Sequence, residues 1–305
     1  MLFDCYRPYL RRTTTATPPR SPASTLTAIG DDFDVNTDTT FALCSADMNA
    51  LADESQCLND NIINAAQQLL TRQYTSVSGL KDTVLVAASA CDVMLESDIT
   101  INAVQVVHDN GKQHWLCVTN KHCSAGHLRI YCSLQMTPSV QCLATIANLF
   151  RMQSPSLTVD IMNVVRQRGA VDCGLFAIAY ADILARDQHP CNVNLDQLQM
   201  RRHLIRCLAA KHITPFPVTK FRTIRRHVVR SVVVSLYCVC RSTHSSGEKM
   251  LQCDQCREWF HQRCVAISDE MFEHLARTTA NYSCPRCTGV NNVDHEQLGA
   301  GNSDQ

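Results

Sequence analysis

The apolar residues of the chain recur at helical spacing in one early segment. Those at the matching positions are Leu58, Ile62, Ile63, Ala66, Leu69 and Leu70. Residues three or four positions apart share one face of a helix, so this spacing predicts an amphipathic helix. The preceding Asp53-Glu54-Ser55 can cap and charge its start.

Five short segments predict β-strands, because they are rich in Val, Ile or aromatic residues and are bounded by turn residues. They cover 83–88, 101–108, 114–119, 128–132 and 157–165. Asp109-Asn110-Gly111 is a tight-turn signal between the second and the third segment. These two segments are therefore predicted to form a hairpin.

Three further segments predict helices, at 140–152, 173–186 and 195–210. The middle one is apolar on nearly every face, which is typical of a helix buried inside a domain. Pro215 and Pro217 break the chain after the third, so a domain boundary is expected near them.

The two ends and one internal segment lack a clear periodic pattern. Residues 1–43, with a run of Thr, Ser and Pro, predict a disordered lead-in, and residues 289–305 predict a disordered tail. Residues 213–236 predict a linker, in which 220–230 has five Lys or Arg and no acid. We interpret this run as a solvated basic linker. The alternatives are a nuclear import signal and a stripe that contacts nucleic acid.

Composition narrows the classes of function. The 305 residues are 45% apolar, enough to bury a core, and Lys plus Arg balance Asp plus Glu at 28 each, so no global charge favours nucleic acid. The charge is uneven, since 197–247 has ten Lys or Arg and no acid. No apolar run reaches the ~18 residues of a membrane span, and no signal-peptide core follows Met1. A soluble chain without a membrane partner is expected.

Eighteen cysteines without a secretory signal argue against a disulfide scaffold. Seven of them lie close together and, with one histidine, form four short pairs: Cys238-x-Cys240, Cys253-x-x-Cys256, His261-x-x-Cys264 and Cys284-x-x-Cys287. One tight turn places both members of a pair on one metal, so eight soft ligands predict two structural zinc ions. The alternative of buried free thiols is disfavoured, because so short a segment with few large apolar side chains needs metal to fold.

The order of these ligands resembles a PHD finger over residues 237–288. Four cysteines come first, then a histidine preceded by an aromatic pair, then three cysteines. A RING finger places the histidine fourth rather than fifth. The resemblance implies an interleaved arrangement, with one zinc ion on Cys238, Cys240, His261 and Cys264 and the other on Cys253, Cys256, Cys284 and Cys287.

Many PHD fingers read histone tails, and some trap a methylated lysine in an aromatic cage by cation–π attraction. The residues that match cage positions are Tyr237, Met250 and Trp259. The acids expected to receive the basic groups of a tail are Asp254, Glu258 and Glu248. The alternative is that Trp259 belongs to the core of the finger. Phe260 and Tyr282 occupy the usual core aromatic positions, which favours the cage.

In the first region, Cys173 opens the predicted buried helix. A helix amino terminus stabilises a thiolate, and Gly174 leaves room for a substrate to approach. His114 begins a strand after a turn and could activate the thiol. Gln167 could donate its amide to an oxyanion, with the Cys173 backbone N–H as the second donor. Taken singly, each residue is equally compatible with an inert buried thiol or a structural histidine.

Together these residues resemble the ubiquitin-like-protein proteases, the cysteine peptidases that process SUMO-type modifiers. The matching motifs follow the family order within residues 44–212: Leu58-Asn59-Asp60-Asn61-Ile62-Ile63-Asn64, His114-Trp115, Tyr131-Cys132-Ser133-Leu134, and Gln167 with Asp172-Cys173-Gly174-x-Phe176. The resemblance implies a papain-like α+β fold, in which Cys173 is the nucleophile, His114 its acid and base, and Gln167 an oxyanion donor.

Two positions depart from the family pattern. Cys57 stands where the helix motif begins with tryptophan, and Cys132 stands where an aspartate orients the histidine. A thiol accepts hydrogen bonds poorly and cannot stabilise an imidazolium as a carboxylate does. Loss of that aspartate costs about 10⁴ in rate in the serine-protease template, an upper guide for a thiolate. Asp98 and Asp109 are the alternative partners of His114.

The sequence thus predicts a cysteine peptidase with weakened activity, joined to a finger that reads a histone tail, in the nucleus. Its expected substrate is a ubiquitin-like modifier, its conjugate or a similar protein. The alternative is a protease-fold scaffold impaired in catalysis, whose working part is the finger. The domain pair also resembles proteins encoded by eukaryotic mobile elements.

Overall fold

We analysed a computed structural model of the chain. It describes residues 43–88, 102–150, 154–221, 227–244, 247–278 and 280–289. The predicted lead-in and tail lie outside these residues, apart from Leu43 and Gly289.

A six-stranded sheet forms the centre of the first region. Its strands are β1 (Ser78–Gly79), β2 (Ala103–Asp109), β3 (His114–Thr119), β4 (His127–Tyr131), β5 (Ser156–Met162) and β8 (Val228–Ser235), in the order β1-β2-β3-β4-β5-β8. The β1/β2 and β4/β5 pairs are parallel and the other three are antiparallel. β2 and β3 form the predicted hairpin. Two short strands, β6 (Val193–Leu195) and β7 (Val218–Phe221), pair separately.

Helices cover both faces of this sheet. They are α1 (Ser45–Ala52), α2 (Asp60–Gln73), α3 (Thr83–Ala88), α4 (Val140–Leu149), α5 (Cys173–Ala185) and α6 (Gln197–Ala209). The side chains of successive strand residues point to opposite faces of the sheet. Val104 and Val106 therefore pack with α2, α5 and α6, whereas Val107 packs with α4 on the other face. Every residue of α5 is buried, as its all-apolar surface predicted.

The finger is small and contains little regular structure. Its elements are β9 (Met250–Gln252), β10 (Trp259–His261), α7 (Asp269–Arg277) and α8 (Pro285–Thr288). β9 and β10 pair antiparallel. Phe260 is fully buried and packs with zinc-ligand cysteines rather than with a large apolar core.

One strand prediction and one helix-cap prediction near the start need correction. Residues 83–88 form α3 rather than a strand, because Asn64 accepts from the Thr83 N–H and Asp82 accepts from the Val84 N–H at the helix start. α2 begins at Asp60 and is capped by Asn59, whose side chain accepts from the Ile62 N–H at 3.1 Å. The expected cap at Asp53-Glu54-Ser55 is therefore wrong.

The predicted linker contains two strands. β8 pairs along its whole length with β5, from Ser156↔Ser235 to Met162↔Val228. Its valines have high β-propensity, which favours a strand despite the basic residues around them. One of those basic residues, Arg230, donates to the Thr137 hydroxyl. The linker prediction is wrong for 228–235, while 222–226 lie outside the described residues.

Candidate functional site

A cleft of about 510 Å³ opens where α2, β3 and α5 approach one another. Cys173, Trp115 and Cys57 are among the residues that line it. The Trp115 indole N–H donates to the Leu58 carbonyl at 3.0 Å, which fixes the ring in the cleft wall. Cys57 is exposed at the position where the family resemblance predicts tryptophan.

Cys173 begins α5 and is 1% exposed. Burial raises the pKa of its thiol, against the opposing effect of hydrogen bonds from the backbone N–H groups of Trp115 and Gly174. The expected thiolate at the helix start is therefore not favoured in the free protein. The Trp115 backbone contact places the sulfur next to the residue that follows His114.

The residue before the thiol, the half-buried Asp172, is held by an ion pair with the buried Arg201. Arg201 of α6 donates to the Asp172 carboxylate at 2.8 Å from Nη2 and 3.1 Å from Nε. The same guanidinium donates to the carbonyls of Leu51 and Gln56. Arg201 therefore ties α6, the end of α1 and the start of α5 together. The sequence analysis did not identify Arg201, because no local motif marks an arginine that contacts residues so distant in the chain.

His114 contacts Cys132 directly. Its Nε2 lies 3.2 Å from the Cys132 sulfur, and both side chains are buried. Burial lowers the pKa of His114 and raises the pKa of Cys132, so both groups are neutral near pH 7. This arrangement leaves Nδ1 available to Cys173. Among the described residues no hydrogen bond joins Cys173 to the imidazole, a contact that in many free enzymes tightens only on substrate binding.

The loop after β4 surrounds the Cys132 sulfur with backbone donors. The Met136 N–H lies 3.4 Å from it, and bonds from the N–H groups of Met136, Leu134 and Gln135 oppose the rise in the pKa of Cys132. Several N–H groups converging on one acceptor are suited to a carboxylate. The surroundings of position 132 therefore fit an aspartate, although the residue is cysteine.

Asp109 is close to His114 in register but is engaged elsewhere. The two residues pair across β2 and β3, and the Asp109 charge acts to raise the pKa of His114. Its oxygens accept from the Ser139 N–H and hydroxyl and from the Gly111 N–H. Asp109 thus influences the pKa of His114 electrostatically but does not orient its ring. The other candidate partner, Asp98, lies outside the described residues.

Two other predicted roles change in the structure. The Gln167 amide donates to the Gly169 carbonyl at 3.1 Å and accepts from the Ser133 hydroxyl at 2.5 Å, which leaves one amide N–H for a substrate. Gly174 does not make room for a substrate: an added Cβ would lie 3.0 Å from the Leu58 side chain. The glycine instead allows α5 to approach the start of α2.

The cysteines and histidine of the finger converge into two groups of four. Within each group the ligand atoms all lie within 4.8 Å of one another. The groups are Cys238, Cys240, His261 and Cys264, and Cys253, Cys256, Cys284 and Cys287. This is the interleaved pairing that the sequence predicted, and all-thiolate or three-thiolate-one-imidazole sets are typical structural zinc sites.

The orientation of His261 fits metal binding. Its Nδ1 lies 3.2 Å from the Cys240 sulfur, while its Nε2 lies 3.4 Å from a Glu248 oxygen. A carboxylate next to the nitrogen that does not bind the metal holds the imidazole in the orientation that zinc binding requires. Arg263 donates to the other Glu248 oxygen at 3.1 Å. Glu248 therefore supports the zinc site rather than facing a peptide.

Two of the three predicted cage residues share one face of the small hairpin. Met250 pairs with His261 and Trp259 pairs with Gln252, which places Met250 and Trp259 diagonally on the same face. Tyr237 forms an isolated bridge with Ser242 just before the first ligand. All three side chains are half-buried, whereas Phe260 is fully buried on the opposite face.

The predicted peptide-binding acids are partly occupied. Both Glu258 oxygens pair with arginines, one with Arg241 and the other with Arg286 at 3.2 Å. One Asp254 oxygen accepts from the Tyr282 N–H at 2.8 Å. The other Asp254 oxygen lies 4.0 Å from the exposed Arg257 guanidinium. Both acids thus have partners within the finger.

Residues 238–287 match the family model of the PHD finger. They form a PHD finger with two zinc sites. Similar proteins include the multicopy suppressor of chk1 protein 1 of Schizosaccharomyces pombe, 36% identical over 61 residues, which is 20% of this chain and 4% of that protein. Lysine-specific demethylase 7B of Danio rerio is 44% identical over 52 residues, 17% of this chain. The chain spans only 8% of that demethylase.

Solved structures of the SUMO protease Ulp1 are similar to the chain outside the finger. One with its catalytic cysteine as a sulfenic acid has a TM-score of 0.47 and 15% identity, covering 59% of this chain and 89% of that one. Another, with a sulfinic acid, has a TM-score of 0.46 and 13% identity, over 58% and 88%. No helix in the described part of the chain is long and apolar enough to span a bilayer.

Proposed function

We propose that the sheet-containing region is a cysteine peptidase. The observation that carries the proposal is the arrangement of three residues from separate elements. Cys173 begins α5 in the cleft and accepts a hydrogen bond from the backbone N–H of Trp115, the residue after His114 on β3, while Cys132 lies 3.2 Å from His114 Nε2. A nucleophile, a base and an orienting group in this relation form a catalytic triad by role.

The reaction follows from these positions. The Cys173 thiol passes its proton to His114, and the thiolate attacks the carbonyl carbon of a peptide or isopeptide bond. The Cys173 backbone N–H and the remaining Gln167 amide N–H stabilise the oxyanion. His114 then protonates the leaving amine, and water hydrolyses the thioester with His114 as base.

The substrate is a ubiquitin-like modifier, its conjugate or a similar protein, on the basis of the motifs over residues 44–212. Trp115 is held in the cleft wall by its bond to Leu58, which supports a narrow passage for small residues. The exposed Cys57 replaces a bulky wall residue, so we expect weaker selection for the substrate end.

A second candidate is an impaired protease fold that acts as a scaffold. The observation that favours it is electrostatic: burial raises the pKa of Cys173, and His114 contacts a neutral thiol rather than a carboxylate. Without that charge the thiolate–imidazolium pair is poorly stabilised.

The finger has the complementary role of binding a histone tail in the nucleus. Met250 and Trp259 on one face, with Tyr237 beside the first ligand, offer the surface for a methylated lysine. Relatives of this segment are named lysine-specific demethylases and a nucleosome-remodeling factor subunit, which supports a chromatin ligand.

Covalent capture tests the peptidase. A panel of ubiquitin-like modifiers with a carboxy-terminal thiol-reactive group would be incubated with the parent, Cys173→Ala and Cys132→Asp chains. We expect adduct formation by the parent, loss in Cys173→Ala and faster formation in Cys132→Asp. Capture by Cys132→Asp alone would establish the impaired scaffold, and no capture by either would reject modifier processing.

Peptide binding tests the finger. Trp259→Ala in the full chain should weaken binding of a trimethyl-lysine tail peptide by about 30-fold, which corresponds to the ~2 kcal/mol of a desolvated cation–π contact. Met271→Ala removes an exposed apolar side chain from α7 of the finger and is the control. Equal affinity of both variants for all tail peptides would remove the cage from the proposal.

A further inference from the structure

A third group of metal-binding side chains lies outside the cleft and the finger. His189 directly precedes a short 3₁₀ helix, Pro190–Asn192, that follows α5, and Cys191 lies within this helix, while His227 directly precedes β8. One donor atom from each lies within 4.8 Å of the other two, the same spacing that the two zinc groups of the finger meet. No local motif marks this group, because His227 lies far along the chain from the other two residues.

The three side chains are held in place by their surroundings. Cys191 is fully buried, and its sulfur lies 4.0 Å from the His227 carbonyl. The His189 and His227 rings meet edge to face with centroids 4.9 Å apart. Both imidazoles and the thiol therefore face one common point.

A buried polar atom beside this group also lacks a partner. The Tyr131 hydroxyl forms no hydrogen bond with any described residue, although Tyr131 is fully buried. Its ring lies 5.8 Å from the His189 ring. A buried hydroxyl without a partner costs free energy unless a water molecule or an ion at the site completes its bonding.

We propose that His189, Cys191 and His227 bind a third zinc ion. One thiolate and two imidazoles form a borderline-soft donor set that suits zinc, with a water molecule as the fourth ligand. On binding, the Cys191 thiol releases its proton to solvent and its sulfur coordinates the ion. Because the ligands come from the segment after α5 and from the start of β8, the ion joins these two elements.

This ion has a structural consequence for the strand that leads into the finger. Apart from the ladder with β5, the start of β8 is held by a backbone bond from the Asn163 N–H to the His227 carbonyl. Coordination of the His227 side chain adds a cross-link from that residue to His189 and Cys191. Zinc at this site therefore anchors β8 at the end farthest from the finger.

The test is the zinc content of the full chain, measured by elemental mass spectrometry against protein concentration. We expect three ions per chain in the parent and two in both Cys191→Ser and His227→Gln. Cys207→Ser is the matched control, because Cys207 is also buried and lies 3.3 Å from one histidine, His203, but belongs to no three-donor group. It should retain three ions.

The comparison between variants decides the proposal. Equal zinc content in the parent and His227→Gln would overturn it. His227 is only half-buried, so this variant gives the answer if Cys191→Ser does not fold, and circular dichroism checks folding of each. Partial loss of zinc from the finger would lower the zinc content of the parent and the variants by the same amount. The difference of one ion between them would remain.

Discussion

A buried thiol at position 132 contacts the imidazole of His114, while backbone N–H groups from the following loop converge on the same sulfur. At this position a carboxylate would accept from those groups and stabilise the imidazolium. The stability of the proposed thiolate–imidazolium pair of Cys173 and His114 therefore depends on the side chain at position 132, whose surroundings suit a carboxylate.

We predict that Cys132→Asp shifts the alkylation of Cys173 to lower pH. A carboxylate at this position favours the imidazolium and through it the Cys173 thiolate, whose pKa burial otherwise raises. Each unit of reduction in that pKa gives about a tenfold faster reaction near pH 7. The measurement is mass spectrometry of the Cys173 peptide after timed alkylation. Cys132→Ser is the neutral control, and an equal gain in that variant would contradict the electrostatic explanation.

Arg201 is the second residue whose removal should have a large effect. Arg201→Ala would leave the half-buried Asp172 carboxylate with only the Gln197 amide as a side-chain donor, and it would remove donors from two carbonyls. Because Asp172 is only partly buried and keeps one bond, we expect a loss of about 2–3 kcal/mol of unfolding free energy, below the ~3–5 kcal/mol of a fully buried pair. Urea denaturation measures it, with Arg202→Ala, an exposed arginine on the same helix, as the control. A loss below 1 kcal/mol would show that Arg201 does not hold the start of α5.

At the scale of elements, α5 carries one buried acid that reports on pH. Burial raises the pKa of Asp182 from 3.8 to about 6, against the opposing charge of Arg186. Between about pH 6 and pH 4 the folded chain takes up a proton that the unfolded chain does not. The Asp182 contribution to the free energy of unfolding thus increases as pH falls through this range.

We therefore predict that the parent gains stability relative to Asp182→Asn as pH falls from 6 to 4, by at most about 1.4 kcal/mol per pH unit. Taking the difference between the two chains cancels the contributions of other acids. Denaturation curves at several pH values measure this difference in the free energy of unfolding. A difference that does not change with pH would show that burial does not raise the pKa of Asp182.

Elements could be predicted from the sequence where side-chain pattern and local turn chemistry agree. The β2/β3 hairpin follows from apolar runs on both sides of Asp109-Asn110-Gly111, and α5 follows from its uniform apolarity. α3 could not be predicted, because its β-branched residues favour a strand and the deciding contact comes from Asn64 on α2. β8 was hidden by basic neighbours, although its valines fit a ladder.

In the candidate sites too, some residues could be predicted from local sequence patterns and others could not. Zinc ligands are recognisable because short pairs place two donors on one ion, and Cys173 is recognisable from its helix start. The engagement of Glu258 by two arginines and the role of Gly174 depend on packing between distant segments. Such contacts leave no local pattern in the sequence.

For the whole molecule, the sheet extends up to the finger. Ile213 and Phe216 are buried in the core with α5, and β8 completes the sheet at β5. We predict that a chain ending at residue 212 aggregates on expression, whereas one ending at residue 236 folds. Soluble yield and size-exclusion chromatography compare the two. Equal monomer yields would mean that β8 is dispensable for the first region.

The late position of β8 also has a consequence for synthesis. Val228 lies 66 residues after Met162, the end of the strand with which it pairs. At roughly 5–20 residues per second, a ribosome needs roughly 3 to 13 seconds to reach β8 once β5 has been made. During that interval the outer edge of β5 is open to strands from other chains, so nascent copies on one polysome compete with the chain's own last strand.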